Sequence, residues 1–199
     1  MPGVRELAEK IWHFLWHEDS AASWIANAVL AFLIIKFLVY PGLGLLLGTP
    51  YPVVAVMSSS MEHDLPFERW WASQAAFYER FNLSREAFEN FPFKNGFNRG
   101  DIMLLIGIKA EKLKPGDVLV YRAATRDPII HRVIAARREN GEFVFETKGD
   151  HNPGQIKSES LDESAVREQA VLGKAVFRIP LLGWIKIAFV ALLRLFGLA

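Results

Sequence analysis

The sequence predicts a mainly β fold, a small β-barrel or sandwich, with an apolar transmembrane helix at its N-terminal end. The first observation is a series of short β-rich runs in the middle of the chain, two of them preceded by the turn signal Gly-Asp at 100–101 and 116–117. The second is the placement of the hydrophobic residues, 51% of the chain, which are concentrated at its two ends. The third is an aromatic-rich stretch at 65–97, which interrupts the β pattern and predicts a helical insert.

The composition excludes several classes of function. A formal net charge of +1 and the lack of a basic stripe with interleaved aromatic residues argue against a nucleic-acid partner. The chain has no cysteine, which removes disulfides, thiolate zinc sites and cysteine nucleophiles together. The sequence implies neither a metal nor an organic cofactor.

The N-terminal end predicts a membrane anchor over residues 21–48. Residues 21–40 are apolar except for a few positions, and about 20 such residues cross the roughly 30 Å hydrocarbon layer as a helix. Pro41 is expected to end or kink this helix. The preceding segment, 1–20, has apolar residues at helical spacing, which fits either a helix lying on the membrane surface or an ordinary packing element.

The C-terminal end, 179–199, predicts a second hydrophobic helix. It carries Lys186 and Arg194 nearly on one helical face, so that it either spans the bilayer or lies in the interface. Spanning is the favoured interpretation, and it places the central domain, 49–178, on the outer side with both termini inside. The insert at 65–97 fits either a small helical core of its own or a membrane-facing surface, since tryptophan favours the interface.

The dipeptide Asn140-Gly141 predicts a β-hairpin that brings a histidine to an aspartate. In a two-residue hairpin loop here, cross-strand partners have positions that sum to 281, so that His131 lies opposite Asp150. Directly opposed residues have Cβ atoms about 4.5–5.5 Å apart, within reach of an imidazole–carboxylate hydrogen bond. A single bulge before that pair would shift the register.

A serine run follows the apolar segment 53–57 and supplies a nucleophile. A serine hydroxyl needs an imidazole to accept its proton, and a carboxylate that fixes the imidazole tautomer. Ser60 is the predicted nucleophile, His131 the base and Asp150 the acid. The Ser60 backbone N–H and the Ser58 hydroxyl are the predicted oxyanion donors. Together with the anchor, these residues predict a membrane-bound serine protease.

Five segments in the middle of the chain carry a resemblance to a known family. They are Ser-Ser-Ser-Met-Glu at 58–62, Arg-Gly-Asp-Ile at 99–102, Gly-Asp-Val-Leu-Val at 116–120, Ile-His-Arg-Val-Ile at 130–134 and Thr-Lys-Gly-Asp at 147–150. In this order they resemble the type I signal peptidases, in the branch found in archaea and the endoplasmic reticulum. The resemblance implies a small, mostly β catalytic domain, Ser60 as nucleophile, and His131 where the bacterial branch has a lysine.

The chain departs from that family at two positions. Ser59 stands where glycine is common, and Ile156 stands where the last motif often carries a second aspartate. The nearest later aspartate, Asp162, is therefore an alternative acid to Asp150. The family also implies cleavage after small residues at −1 and −3 of the substrate.

The expected function is that of a membrane-bound serine endopeptidase that cleaves signal peptides from exported or membrane-translocated precursors. The expected partners are those precursors, the lipid bilayer and the protein-translocation machinery. The expected location is the cell membrane or an equivalent secretory membrane, with the catalytic domain on the extracytoplasmic side. Two alternatives remain open, a non-catalytic signal-peptide-binding module and a serine protease for specialised precursors.

Overall fold

A computed structural model of the chain describes residues 3–195, apart from the side chain at position 186. The chain divides into two compact units, Met1–Leu46 and Leu47–Ala199. The first unit is helical and the second contains a β-sheet, so the mainly β prediction with an N-terminal apolar helix is confirmed.

The first unit starts with helix α1 (Val4–Trp16), followed by helix α2 (Ala21–Ile34). Polar side chains at the start of α2 tie it to the end of α1. The Ser23 hydroxyl donates to the Phe14 carbonyl at 2.6 Å, and the Asn27 amide donates to the Leu15 carbonyl at 2.8 Å. Because these carbonyls lie at the end of α1, where helical partners run out, the two bonds satisfy them.

The apolar helix continues beyond α2 through a π-helical stretch, Ile35–Val39, into helix α3 (Tyr40–Leu47). The whole segment, Ala21–Leu47, has 27 residues and is the one helix in the described part of the chain that is long and apolar enough to cross a membrane. At 1.5 Å per residue it is about 40 Å long. Of the two expectations for Pro41, an end of the helix is contradicted, since the helix continues to Leu47, and a kink stays a prediction. The wider π turn just before Pro41 accommodates its ring and its missing N–H without ending the helix.

The second unit is built on one antiparallel sheet of seven strands, in the spatial order β1-β2-β7-β3-β4-β5-β6. The strands are β1 (Val53–Ala55), β2 (Ile102–Ile106), β3 (Val118–Tyr121), β4 (Ile129–Glu139), β5 (Glu142–Lys148), β6 (Val166–Arg167) and β7 (Val171–Ile179). Strand β1 is an edge strand, and the apolar side chains of β2, β3 and β7 form the core beside it.

The β4–β5 hairpin follows the predicted register only in part. Asn140 and Gly141 have φ of 52° and 90°, as a tight two-residue hairpin turn requires. The pairs from Glu139–Glu142 to Ala135–Glu146 sum to 281. The register then shifts by one residue between Val133 and Ala135, and Arg132 lies opposite Lys148. The predicted pairing of His131 with Asp150 is therefore wrong, because a bulge intervenes.

The aromatic insert is helical and has its own core. It contains helix α4 (Phe67–Tyr78), a 3-10 turn (Glu79–Phe81) and helix α5 (Arg85–Glu89). The Ser84 hydroxyl caps α5 by accepting the Ala87 N–H at 3.2 Å. Its buried side chains pack together and against Ile134 of β4: Trp70, Trp71, Tyr78, Leu83 and Phe88. The insert is thus attached to the strand that carries His131.

Two aspartates of the Gly-Asp motifs hold turns of the second unit. Asp101 and Asp117 are buried, and each accepts the backbone N–H of the residue three positions earlier, at 2.7 and 3.2 Å. Arg178 pairs with Asp101 at 2.7 Å and Lys174 with Asp117 at 2.5 Å, both from β7. These carboxylates fix loops to strand β7.

Strand β7 leads into helix α6 (Trp184–Leu195). The described part has 12 residues and is about 18 Å long. The last four residues of the predicted 179–199 helix lie outside the described residues. Whether this segment spans a membrane stays a prediction.

Candidate active site

Ser60 lies in a tight turn that follows edge strand β1. The turn is closed by the Glu62 N–H, which donates to the Ser59 carbonyl at 3.0 Å. The Ser60 carbonyl accepts the His151 N–H at 2.9 Å, which joins this turn to the segment after β5. Ser60 is half-buried, so that part of the residue is exposed to solvent.

His131 projects from β4 toward Ser60 and is 3% exposed. Its Nε2 lies 2.9 Å from the Ser60 hydroxyl oxygen. Its Nδ1 is hydrogen-bonded to the Glu163 carboxylate. Because an ionised carboxylate only accepts, Nδ1 carries the proton and Nε2 is left to accept from the Ser60 hydroxyl. The structure brings together the predicted serine and histidine in the geometry of a nucleophile and its base.

Glu163 is a site residue that sequence reasoning missed. It lies between β5 and β6, and its side chain is fully buried. Its second carboxylate oxygen accepts the Ile156 N–H at 2.5 Å, while its own N–H donates to the Ile156 carbonyl at 3.0 Å. Its carbonyl accepts the Thr147 N–H at 2.8 Å. The sequence holds one hint of Glu163. Ile156 stands where the resembling family often carries a second aspartate, which indicates that another residue supplies the carboxylate.

Asp150 lies in a separate buried cluster and does not contact His131. Its carboxylate accepts hydrogen bonds from Arg132 at 2.7 Å, the Tyr78 hydroxyl at 2.8 Å and His63 at 3.1 Å. Burial raises the pKa of the Asp150 carboxyl, but the Arg132 guanidinium and the His63 hydrogen bond outweigh it and hold this pKa well below its usual range. Asp150 is therefore a buried, ionised carboxylate whose hydrogen bonds go to Arg132, Tyr78 and His63.

The alternative acid, Asp162, is also outside the site. It is exposed, and its carboxylate accepts the N–H and the hydroxyl of Ser164 at 2.9 and 2.6 Å. These two bonds lower the pKa of its carboxyl. Asp162 shapes the loop that precedes Glu163, and the carboxylate that meets His131 belongs to the next residue.

The sequence is similar to those of catalytic subunits of the signal peptidase complex. Signal peptidase complex catalytic subunit SEC11C of Homo sapiens is 27% identical over 155 residues, 75% of this chain and 63% of that protein. The corresponding SEC11 subunit of Colletotrichum graminicola is 26% identical over 170 residues, 84% of this chain and 80% of that protein. The chain is a homologue of signal peptidase catalytic subunits. No protein-family model matches it.

The resemblance to the type I signal peptidases is thereby confirmed. A third relative, SEC11 of Sclerotinia sclerotiorum, is 25% identical over 177 residues, 87% of this chain and 84% of that protein. The chain spans 63% of the length of the mammalian relatives that it matches.

The predicted oxyanion donors of this signal peptidase homologue lie in the serine turn. The Ser58 hydroxyl oxygen is 3.1 Å from that of Ser60, so the two hydroxyls are hydrogen-bonded in the free protein. Ser58 and Ser59 are exposed. Because a serine hydroxyl rotates freely, the Ser58 side chain is available to donate to an oxygen beside the nucleophile.

Gly149 occupies a position where the site leaves no space for a side chain. A Cβ atom there would lie 2.7 Å from the Ser60 carbonyl oxygen, 2.8 Å from the Asn152 amide nitrogen and 2.9 Å from Nε2 of His131. Such approaches are below any normal van der Waals contact. The Thr-Lys-Gly-Asp motif thus serves the site through its glycine, which lets the chain pass directly under the Ser60–His131 pair.

Proposed function

We propose that this protein is a membrane-bound serine endopeptidase that cleaves signal peptides from exported or membrane-translocated precursors. The observation that carries the proposal is the continuous hydrogen-bonded line from Glu163 through His131 to the Ser60 hydroxyl. Homology to signal peptidase catalytic subunits supports the same chemistry and the same class of substrate.

In the proposed reaction, the Ser60 oxygen attacks the scissile carbonyl while Nε2 of His131 takes its proton. The imidazolium that forms is stabilised by Glu163, which also holds the proton on Nδ1 throughout. The imidazolium then gives its proton to the leaving amine, and the carbonyl re-forms as an acyl-enzyme. A water molecule, deprotonated by His131, releases the acyl group and restores Ser60.

The developing oxyanion is proposed to receive hydrogen bonds from the Ser60 N–H and the Ser58 hydroxyl. Both groups lie in the same turn as the nucleophile, so that their positions relative to the attacked carbonyl are fixed by a few residues. The turn is anchored on one side by the Glu62 N–H and on the other by the His151 N–H.

Edge strand β1 is the proposed docking site for the substrate backbone. One side of Val53–Ala55 pairs with β2, and among the strands of the described residues none lies on the other side. An extended substrate can therefore pair with β1 and follow it toward Ser60, with alternate side chains directed into shallow pockets. This mode suits a signal-peptide end that is extended and carries small residues.

The apolar helix Ala21–Leu47 supports attachment to a membrane. We place the protein in the cell membrane or an equivalent secretory membrane, with the sheet domain on the extracytoplasmic side. The relatives are subunits of a complex by name, which supports an association of this chain with further subunits or with the protein-translocation machinery.

The test is cleavage of a precursor with an Ala-x-Ala signal peptide by the full chain in lipid vesicles. Wild-type protein should release the mature product, and Ser60→Ala should lose about 10⁴-fold or more in rate. Ser59→Ala is the matched control, because Ser59 is the exposed neighbour in the same turn and should cleave normally.

Thermal unfolding of Ser60→Ala should match the wild type, because the hydroxyl is lost from a half-buried position at the edge of the sheet. Normal cleavage by Ser60→Ala would refute the nucleophile. A wild-type protein that binds the signal peptide without cutting it would favour the non-catalytic binding module.

A further inference from the structure

We propose that Lys148 is a positioning residue of the site, whose buried ammonium group fixes the 149–151 turn beneath Ser60 and His131. The inference rests on the proposed function and adds to it a residue that contacts neither the nucleophile nor the base. Lys148 ends strand β5 and its side chain is fully buried.

The lysine ammonium group has three hydrogen-bond acceptors in reach. Nζ donates to the Gln74 side-chain oxygen and the Gly149 carbonyl at 3.0 Å each, and to the Asp150 carbonyl at 3.4 Å. An ammonium group has three N–H donors, so each acceptor can have its own proton. Two of the acceptors are backbone carbonyls of the turn, and the third belongs to the aromatic insert.

The 149–151 turn also fixes the positions of Ser60 and His131. The N–H of His151 donates to the Ser60 carbonyl at 2.9 Å, and a Cβ at Gly149 would collide with the same carbonyl and with Nε2 of His131. A shift of the turn would therefore move the nucleophile relative to its base. Displacements on the order of 1 Å at such sites lower rates by about 10²-fold.

The surroundings of Lys148 are mostly apolar. Its Nζ lies over the rings of Phe77 and Tyr78, at 5.2 and 4.8 Å from their centroids. Burial lowers the pKa of the amine to about 8, although the charges of Asp150 and Glu163 act to raise it and Arg132 adds to the lowering.

The hydroxyl of Tyr78 stays neutral beside this amine, because burial and the Asp150 charge raise its pKa well above the ordinary value.

Deprotonation leaves the amine with two N–H donors for three acceptors. The 149–151 turn then loses one of its tethers, and the Ser60–His131 geometry loosens. Activity is expected to fall as the pH rises through about 8, because the positioned form requires the ammonium. Gln74 connects the insert to this turn, because its side-chain oxygen accepts from the same Lys148 ammonium group as the turn carbonyls.

The stability of the fold moves in the opposite direction over the same pH range. Because the pKa of Lys148 is lower in the folded chain than the ordinary lysine value of 10.5, the unfolded chain binds this proton more tightly. The contribution of Lys148 to stability therefore rises between about pH 8 and pH 10.5. A fall in activity without a fall in unfolding temperature distinguishes positioning from simple destabilisation.

The test measures kcat and KM for precursor cleavage between pH 6 and 10 in the wild type, Lys148→Arg and Lys148→Met. Wild-type kcat should fall about tenfold between pH 7 and 9 with KM unchanged. Lys148→Arg should be flat over this range, since guanidinium stays charged, and Lys148→Met should be slower by at least about tenfold and also flat. The exposed Lys112→Met variant should behave as wild type.

A wild-type kcat that is constant from pH 7 to 9, or a Lys148→Arg variant that keeps the wild-type alkaline fall, would overturn the inference. An independent measurement needs no catalysis. In Ser60→Ala protein, the amide NMR signals of Gly149 and His151 should titrate with a midpoint of about 8 and should not do so when Lys148→Arg is added. If these amides titrate as expected but the wild-type protein cleaves no precursor, the proposed function is refuted while the role of Lys148 in holding the turn is supported.

Discussion

The second unit contains two buried histidine–carboxylate pairs that differ in what surrounds them. In one pair, Glu163 bonds Nδ1 of His131, and the other ring nitrogen meets the Ser60 hydroxyl. In the other pair, Asp150 bonds Nε2 of His63, whose remaining nitrogen is buried without a hydrogen-bond partner in the described structure. The first pair ends on a nucleophile and the second does not.

The two carboxylates also differ in their counter-charges. Asp150 is held by the fully buried Arg132, which stacks over the Phe88 ring with 4.7 Å between the guanidinium carbon and the ring centroid. Among the described side chains, which leave out that of position 186, no arginine or lysine forms an ion pair with Glu163. A carboxylate paired with a permanent cation fixes the fold, whereas one that bonds a histidine and has no permanent cation beside it can stabilise an imidazolium as it forms.

The largest expected effect follows from replacing the acid that faces His131. Glu163→Gln keeps the shape but removes the negative charge and no longer fixes the tautomer of the ring. The kcat for precursor cleavage should fall about 10³- to 10⁴-fold, with KM nearly unchanged. The measurement is single-turnover cleavage in lipid vesicles.

Glu159→Gln is the matched control for this variant, since Glu159 is exposed in the same loop and lacks the contact with His131. It should cleave at the wild-type rate. If Glu163→Gln retained more than a tenth of the wild-type kcat, Glu163 would not be the acid of the site.

The next effect is one of stability. Asp150→Asn removes the charge that balances Arg132 in the interior, which should lower the free energy of unfolding by about 3–5 kcal/mol. Because the pKa of Asp150 is lowered on folding, its contribution is present above the unfolded pKa and is lost as the pH falls below about 4. The difference in urea unfolding between wild type and variant should therefore be largest at pH 7 and should narrow as the pH falls from about 4 toward 3.

Asp127→Asn serves as the comparison for this stability measurement, because Asp127 is exposed. It should unfold as the wild type does at both pH values. A difference between Asp150→Asn and wild type that stayed constant from pH 7 to pH 3 would argue against a charged Asp150.

The smallest effect concerns the oxyanion. Ser58→Ala removes one of two proposed donors and should lower kcat by about 10²-fold while leaving KM and stability unchanged. The measurement is the kcat of precursor cleavage by Ser58→Ala, compared with that of the Ser59→Ala control. Equal rates for the two alanine variants would mean that Ser58 does not contact the oxyanion.

The sequence predicted the features that depend on local patterns. The serine turn after an apolar strand and the histidine on β4 were found because each lies in a short motif, and the structure brings them to 2.9 Å. The Asn140-Gly141 turn and the first pairs of its hairpin followed from turn geometry alone.

The acid could not be found in the same way. The register shift between Val133 and Ala135 moves Asp150 away from His131, and nothing in the local sequence signals that bulge. Glu163 reaches His131 from 32 positions away through a loop that is organised by Ile156. A contact of this kind depends on the folded loop, so sequence patterns did not reveal it.

The insert shows the same limit. Its helical character was predicted from composition and is confirmed. The sequence left open whether it forms a small core or a membrane-facing surface, and the structure shows a small aromatic core. Its hydrogen bonds to the segment after β4, from Tyr78 to Asp150 and between Gln74 and Lys148, join residues more than 70 positions apart. They arise because the insert packs on β4 and β5.

The most direct test of the account compares Glu163→Gln with Asp150→Asn in one assay, the rate of precursor cleavage per folded molecule at pH 7. The account predicts that Glu163→Gln is slower than Asp150→Asn by at least about 10²-fold, because only Glu163 supports the imidazolium of His131. Equal rates, or a slower Asp150→Asn, would contradict the assignment of Glu163 as the acid of the site.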